Sequence, residues 1–224
     1  STATIPLMIT GPTGSGKELV AKFMHYEVDR SEGKYIGINC TNINREMFES
    51  ELFGYKKGAF TGASEKGRQG YIKQAEQGTL FLDEISELDQ EIQAKLLRVL
   101  EEEEYYPLGG TSKEHVNCRM IFASNRNLEK LVEQGTLRKD LYYRLNVVNV
   151  SVPSIKERKE GIIPFLTSFI AKLNQQFQKD VRFIQGKVLK YMYQYNWPGK
   201  IRELKNFITQ IMGFIEGDTI KYEH

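Results

Sequence analysis

Cysteine is scarce in this chain of 224 residues: only Cys40 and Cys118 occur, far apart and in apolar surroundings. Two such positions argue against a disulfide or a catalytic role and read as buried, reduced thiols of a reducing compartment. Histidine is hardly commoner, and His25, His115 and His224 form no metal-ligand spacing with the cysteines, which argues against a structural zinc site. No apolar run is long enough to cross a bilayer and the N-terminus lacks a signal-peptide pattern, so a cytoplasmic chain without membrane association is expected. Charge of one sign is missing too. A formal net charge of +2 is too small for nucleic-acid binding through bulk electrostatics. Repeats and low-complexity segments are absent. What remains, 40% hydrophobic and 27% charged residues, suits one large α/β domain or a medium domain with a small companion.

Short apolar runs alternate with helical patterns. Residues 5–10 (IPLMIT) lead into the glycine-rich GPTGSGK, and Glu18–Asp29 carries Leu19, Val20, Phe23 and Met24 at helical spacing. Further strands are expected at Tyr35–Asn39, Thr79–Leu82, Arg119–Ala123 and Val147–Val152, with a helix marked by Ile92, Leu96, Val99 and Leu100. Strands separated by helices imply a five-stranded, doubly wound parallel sheet. After Pro153 no strand-like run appears. Ile163, Leu166, Ile170, Leu173 and Phe177 mark one helix, Val188, Tyr191, Met192 and Tyr195 a second, and Ile201, Leu204, Ile208, Ile211 and Ile215 a third. The chain therefore divides into an α/β core, residues 1–153, and a small helical lid, residues 154–224. The acidic run Glu101–Glu104 reads as a solvated helix end, because acids there oppose the helix dipole.

Gly11, Pro12, Thr13, Gly14, Ser15, Gly16 and Lys17 form a phosphate-binding loop between strand and helix: glycines let backbone N–H groups turn inward, and the helix N-terminus favours an anion. Glu18 stands where this loop commonly has a magnesium-binding Ser or Thr, so the metal must lean on another residue. A nicotinamide fold is disfavoured by the glycine spacing and by Asn39, not an acid, ending the second strand. Asp83 and Glu84 follow the apolar run at 79–82, at the carboxyl end of a buried strand where such sheets bind ligands. Asp83 can hold magnesium and Glu84 can accept a proton from water. For either acid alone, a helix N-cap is the plain alternative.

The strings GPTGSGKE (11–18), ESELFGYKKGAFTGA (49–63), GTLFLDEI (78–85), LRKDLYYRLNVV (137–148) and NWPGKIREL (196–204) resemble, in order, the AAA+ domain of sigma-54-dependent transcriptional activators. The resemblance covers essentially the whole chain, and GAFTGA is its most specific element. It implies an AAA+ P-loop ATPase fold with ATP and Mg2+ as ligands. It further implies that Lys17 contacts the β and γ phosphates, Asp83 the magnesium and Glu84 the attacking water. Asn39 matches the residue that holds the catalytic glutamate back, Asn125 the sensor, Arg138 and Arg144 the two arginine fingers that reach a neighbouring subunit, and Arg202 the lid arginine. Gly58, Ala59, Phe60, Thr61, Gly62 and Ala63 match the segment that engages sigma-54. A homo-oligomeric ring, a hexamer, is also implied.

The plain alternatives are surface charges or intrachain pairs for Arg138 and Arg144, a helix cap for Asn125 and a solvated helix residue for Arg202. Phe60 could instead fold back onto its own domain. Tyr55, Lys56, Lys200, Gly161 and the string SIKER (154–158) depart from the family's usual pattern without touching the expected chemistry. No DNA-binding or receiver domain lies between Ser1 and His224, so DNA contact is expected only through a domain absent from this chain, an excised module. Two other functions stay open: the same fold with another client, such as a helicase loader or unfoldase, against which GAFTGA speaks, and a nucleotide-sensing regulator without turnover, against which Lys17, Asp83 and Glu84 together speak.

Overall fold

The computed structural model describes residues 5–27, 32–41 and 45–223, without the side chain of Arg45. Ser1, Asp29 and His224, named in the expectations above, lie outside the described residues. Two compact units divide the chain, one made of the residues up to Gly11 with Lys17–Val152, the other of Pro12–Gly16 with the residues from Pro153 onward.

The first unit starts with β1 (Leu7–Thr10), α1 (Lys17–Tyr26), β2 (Tyr35–Asn39) and α2 (Arg45–Phe53). Two short strands, β3 (Gly54–Tyr55) and β4 (Arg68–Gln69), then pair antiparallel at the base of a loop. Next come α3 (Tyr71–Gln74), β5 (Thr79–Asp83), a 3-10 turn at Ile85–Glu87 and α4 (Gln90–Glu102). A small hairpin of β6 (Glu104–Tyr105) and β7 (Glu114–His115) precedes β8 (Arg119–Ser124), α5 (Leu128–Glu133), α6 (Lys139–Leu145) and β9 (Val148–Ser151).

The five longer strands are those expected, and they form one parallel sheet in the order β2-β5-β8-β1-β9. Met8, Leu80, Leu82, Met120 and Phe122 share a core with Leu52 of α2, Leu96 of α4 and Leu141 of α6. Their neighbours Leu7, Ile9, Phe81, Ile121 and Ala123 share another with Ala21 of α1. Burial on both faces explains why the central strands read as unbroken apolar runs instead of alternating. Phe122 is fully buried. Phe122→Ala is therefore expected to destabilise the chain by about 3–5 kcal/mol, read as a lowered urea midpoint with an unchanged slope; a midpoint like that of the parent would contradict this packing.

The helix expected after the loop forms as α1, with a phase that its spacing alone does not give, and the expectation for the acidic run needs correction. On α1, Leu19 and Phe23 are 51% and 62% exposed, and the buried positions are Lys17, Ala21 and His25. The phase of this helix follows Lys17 at its first position. Four and eight residues on, Ala21 and His25 meet the sheet, His25 Nδ1 lying 3.0 Å from Thr79 Oγ1. The acidic run is likewise not one helix end. Glu103 adopts a left-handed conformation, φ 55°, and its N–H closes α4 on the Val99 carbonyl, so that Glu104 leaves the helix as a strand residue. Glu104 pairs with Lys113 at 2.6 Å, which holds its carboxyl below the usual carboxylate range.

The second unit contains a 3-10 turn at Lys159–Gly161, α7 (Ile162–Phe177), β10 (Phe183–Ile184), α8 (Gly186–Gln194), α9 (Lys200–Phe214) and β11 (Thr219–Ile220). Leu166, Ile170 and Leu173 from α7, Val188 and Met192 from α8 and Leu204, Ile208 and Ile211 from α9 bury one core around Trp197. Trp197 Nε1 donates to the Met192 carbonyl at 2.8 Å. The absence of strands expected after Pro153 is corrected by β10 and β11, a parallel pair of two residues each. Two residues are too few for alternation to register. Among the described residues Cys40 and Cys118 are buried and form no disulfide. Among the described residues no helix is long and apolar enough to cross a membrane.

Candidate active site

The glycine-rich loop begins where β1 ends, with the Gly11 N–H donating to the Ser124 carbonyl at 3.2 Å. Gly14 and Gly16 have φ of +74° and +98°, a region that side chains rarely adopt, so the loop's path depends on glycine. Inside it the Ser15 N–H donates to the Pro12 carbonyl at 3.1 Å, and the Ser15 hydroxyl is buried without a hydrogen-bond partner among the described residues. Thr13 is exposed. Lys17 opens α1 and is buried; its ammonium donates to the Gly11 carbonyl at 3.1 Å and lies 3.4 Å from Glu84 Oε1. Glu18 is exposed and pairs with Lys22 at 2.7 Å.

Asp83 ends β5 and Glu84 follows it in the left-handed region, φ 57° and ψ 49°. A non-glycine residue held there stores about 1–3 kcal/mol, and such residues cluster at functional sites. The turn aims the Glu84 side chain back into the protein, where its second oxygen accepts the Asn125 N–H at 3.0 Å. Asp83 Oδ1 accepts the Glu84 N–H at 3.0 Å. Burial first, then the charge of Glu84, pushes the Asp83 carboxyl above its ordinary range, with Lys17 opposing. A cation would relieve that crowding of negative charge. The capping role falls elsewhere, to Asp89, whose carboxylate accepts the N–H groups of Glu91 and Ile92 at the start of α4.

Asn39 ends β2 directly opposite Asp83 in the strand register. Its side-chain oxygen accepts the Thr41 N–H at 2.9 Å and the Thr41 hydroxyl. Asn125 sits just past β8, and the cap of α5 is Asn127, not Asn125. The sheet thus brings Lys17, Asp83, Glu84 and Asn125 together at the carboxyl ends of its strands, with Asn39 on the neighbouring strand.

Arg138 and Arg144 are both engaged within the chain. Arg138 precedes α6 and forms a two-point pair with Asp140, at 3.1 and 2.7 Å. Arg144 donates through Nε and Nη2 to the Leu100 carbonyl near the end of α4, at 3.0 and 2.6 Å. Arg202 is an exposed residue of α9, a helix whose Ile201 N–H donates to the Gly14 carbonyl at 3.2 Å.

The segment Gly58–Ala63 lies in the loop between β3 and β4. Gly58 and Gly62 have φ of +75° and +91°, with nothing near either α-carbon where a side chain would go, so conformation and not crowding calls for glycine. Successive turns, Ala59 N–H to Lys56 O and Ala63 N–H to Phe60 O, carry the chain around. Phe60 is 45% exposed and meets Tyr55 edge-on at 5.0 Å between ring centroids, so it leans on its own loop and remains accessible; Thr61 is exposed. The loop base is tied to the β6–β7 hairpin: the Leu108 N–H donates to the Gly54 carbonyl, the Lys56 N–H to the Leu108 carbonyl, and the Lys56 ammonium to Glu114 at 2.9 Å.

Several residues here carried no isolated signal. Glu114 lies 58 positions from Lys56. Glu87 and Arg126, which pair at 3.2 Å, are legible only as neighbours of the acid pair and of Asn125 in the strings DEISE and SNRNL.

The family model described as the Sigma-54 interaction domain matches residues 1–151, and that described as the AAA+ ATPase lid domain matches residues 156–224. Regulatory protein AtoC of Escherichia coli (strain K12) is 42% identical over 214 residues, covering 96% of this chain and 46% of AtoC. DNA-binding transcriptional regulator NtrC of Rhizobium meliloti (strain 1021) is 41% identical over 222 residues, covering 98% of this chain and 45% of NtrC. The crystal structure of NtrX from Brucella abortus in complex with ADP superposes with a TM-score of 0.85 at 34% identity, covering 97% of this chain and 47% of that one. NtrX in complex with ATP superposes with a TM-score of 0.81 at 32% identity, covering 97% of this chain and 50% of that one. The chain spans about half or less of the length of these relatives.

Proposed function

The chain belongs to the sigma-54 interaction domain family with its AAA+ lid, and we propose that it is the ATP-hydrolysing module of a sigma-54-dependent transcriptional activator. In this reading copies of the chain form a ring, a hexamer, whose ATP cycle drives the Gly58–Ala63 loops against sigma-54 and remodels its RNA polymerase toward the open complex. The observation that carries the reading is the position of Glu84, a buried carboxylate held between the Asn125 N–H and the ammonium of Lys17, the residue that follows the glycine-rich loop in sequence. Asp83 at its side, and the unpartnered Ser15 hydroxyl in the loop, suit a triphosphate with its metal. A magnesium ion held by Asp83 would neutralise phosphate charge.

The chain's own groups divide the work. The loop N–H groups and Lys17 bind the phosphates. On binding, Lys17 exchanges Glu84 for phosphate oxygens, which frees one Glu84 oxygen to orient water and take its proton. Asn125 keeps the other oxygen fixed. Asn39, opposite Asp83, holds Glu84 back until the partner engages. Arg138 and Arg144 leave Asp140 and the Leu100 carbonyl to complete the site of an adjacent copy, and Arg202 senses the nucleotide from the lid. DNA contact belongs to other parts of a longer protein, in the cytoplasm.

Thr61→Ala tests the client. The loop is separated in sequence and fold from the phosphate-binding residues, so ATP turnover and ring formation are expected to stay within about twofold of the parent, as for an exposed substitution. Capture of sigma-54 in the presence of a transition-state analogue of ATP is expected to be lost. Equal capture by parent and variant would overturn the assignment of this loop to sigma-54.

A further inference from the structure

The Glu84 carboxylate is fixed at one oxygen by a backbone N–H, yet the residue supplying that N–H lies on a different strand end and Glu84 itself sits on a strained turn. β5 and β8 pair directly, but their ladder ends at Leu82 and Phe122, so the turns beyond it are fixed by other contacts. Glu87 reaches both. Its N–H donates to the Glu84 carbonyl at 3.0 Å, closing the turn, and its carboxylate forms an ion pair with Arg126, Oε1 lying 3.2 Å from Nη2. Arg126 is the residue after Asn125, and its own N–H is bound by the buried Ser124 hydroxyl at 3.1 Å, which folds the loop after β8 back on itself. The links form a closed circuit: Glu84 carboxylate to Asn125 N–H, along the backbone to Arg126, across to Glu87, and back through the turn to Glu84. The Glu87–Arg126 ion pair is the link of this circuit that joins the turn after β5 to the loop after β8 through two side chains.

We infer that Arg126 and Glu87 are a positioning pair that sets the aim of the Glu84 carboxylate toward the attacking water. The inference rests on the reading of Glu84 as the water-activating group. Neither residue touches the reacting atoms. The pair is half-exposed, so its contribution to global stability is small, whereas a displacement of about 1 Å in a catalytic group can cost a hundredfold in rate.

The experiment measures kcat and KM for ATP and the melting temperature of the parent, Arg126→Ala, Glu87→Gln and the charge-swapped Arg126→Glu/Glu87→Arg, with Glu84→Gln alongside. Each single substitution is expected to lower kcat by about tenfold or more while KM and melting temperature stay near the parent's, because the phosphates are bound by Lys17 and the loop N–H groups and not by Arg126 or Glu87. The swapped pair is expected to regain most of the lost kcat. Single variants with the parent's kcat, or losses that track melting temperature and are not recovered by the swap, would overturn the inference. The outcomes separate it from the reading beneath it: a parent without ATPase activity, or an active Glu84→Gln, overturns the reading of Glu84. An active parent with inert Glu84→Gln and a fully active Arg126→Ala overturns only the positioning pair.

Discussion

Glu84→Gln is expected to bind ATP at least as tightly as the parent and to hydrolyse it about two to four orders of magnitude more slowly, the usual loss when a general base is removed. The substitution keeps the shape of the side chain and can still accept the Asn125 N–H, but the amide cannot take a proton from water. It also removes the charge that pairs with Lys17 at 3.4 Å. In the parent, ATP must draw Lys17 away from Glu84; in the variant it need not, so affinity is expected to be equal or higher. Lys17→Ala should behave in the opposite way. It loses a phosphate contact and leaves the Glu84 carboxylate buried without its cation, so weak ATP binding and a lowered melting temperature are expected together. Equilibrium binding of a fluorescent ATP analogue, with single-turnover hydrolysis on the same samples, distinguishes the two. Normal turnover by Glu84→Gln would remove Glu84 from the chemistry.

The parts of this site that were legible in sequence are those in which chemistry and local structure share one short stretch. Leu80–Leu82 is uniformly apolar because β5 is buried on both faces, and the two acids after it mark the strand's carboxyl end at once. The loop 11–17 is similar, since its glycines and Lys17 are consecutive in the chain. Where a role depends on phase or on distant partners, sequence says less. The stripe of Leu19, Val20, Phe23 and Met24 has good helical spacing, yet α1 is rotated by the need to place Lys17 inward, and its outermost apolar residues meet solvent. Glu103 and Glu104 look like more of the same acidic helix, but a left-handed residue ends α4 and sends Glu104 to Lys113. Nothing in composition distinguishes Arg144 from other basic residues of its stretch; its partner is a backbone carbonyl, which has no sequence signature.

That carbonyl shapes the remaining prediction. Because a transition-state charge met by an arginine from an adjacent copy is worth about a thousandfold or more where measured, ATPase activity is expected to rise more steeply than in proportion to protein concentration, with dilute chain nearly inactive. Arg138 and Arg144 are engaged differently at rest. Among the described residues the Arg138 side chain is paired with the exposed Asp140, two residues away, a pair that solvent screens and that costs little to break. Arg144 uses both arms of its guanidinium on the Leu100 carbonyl, in a geometry lysine cannot reproduce. Release of Arg144 therefore leaves the end of α4 short of two hydrogen bonds, and Arg144→Ala is expected to lower the melting temperature slightly as well as abolish turnover, whereas Arg138→Ala should leave the melting temperature unchanged. The decisive measurement mixes variants. Arg144→Ala subunits retain Glu84, and Glu84→Gln subunits retain Arg144, so in a mixed ring an Arg144→Ala subunit whose neighbour is Glu84→Gln has a complete site. Each variant alone is expected to be inert and the mixture to recover a fraction of parent activity that peaks near equal proportions. Arg138→Ala mixed with Glu84→Gln provides the same test in a variant with no helix-end bond to lose. Mixed rings that form, as seen by native mass measurement, but hydrolyse no more ATP than either variant alone in both pairings would overturn the role of these arginines across the subunit boundary.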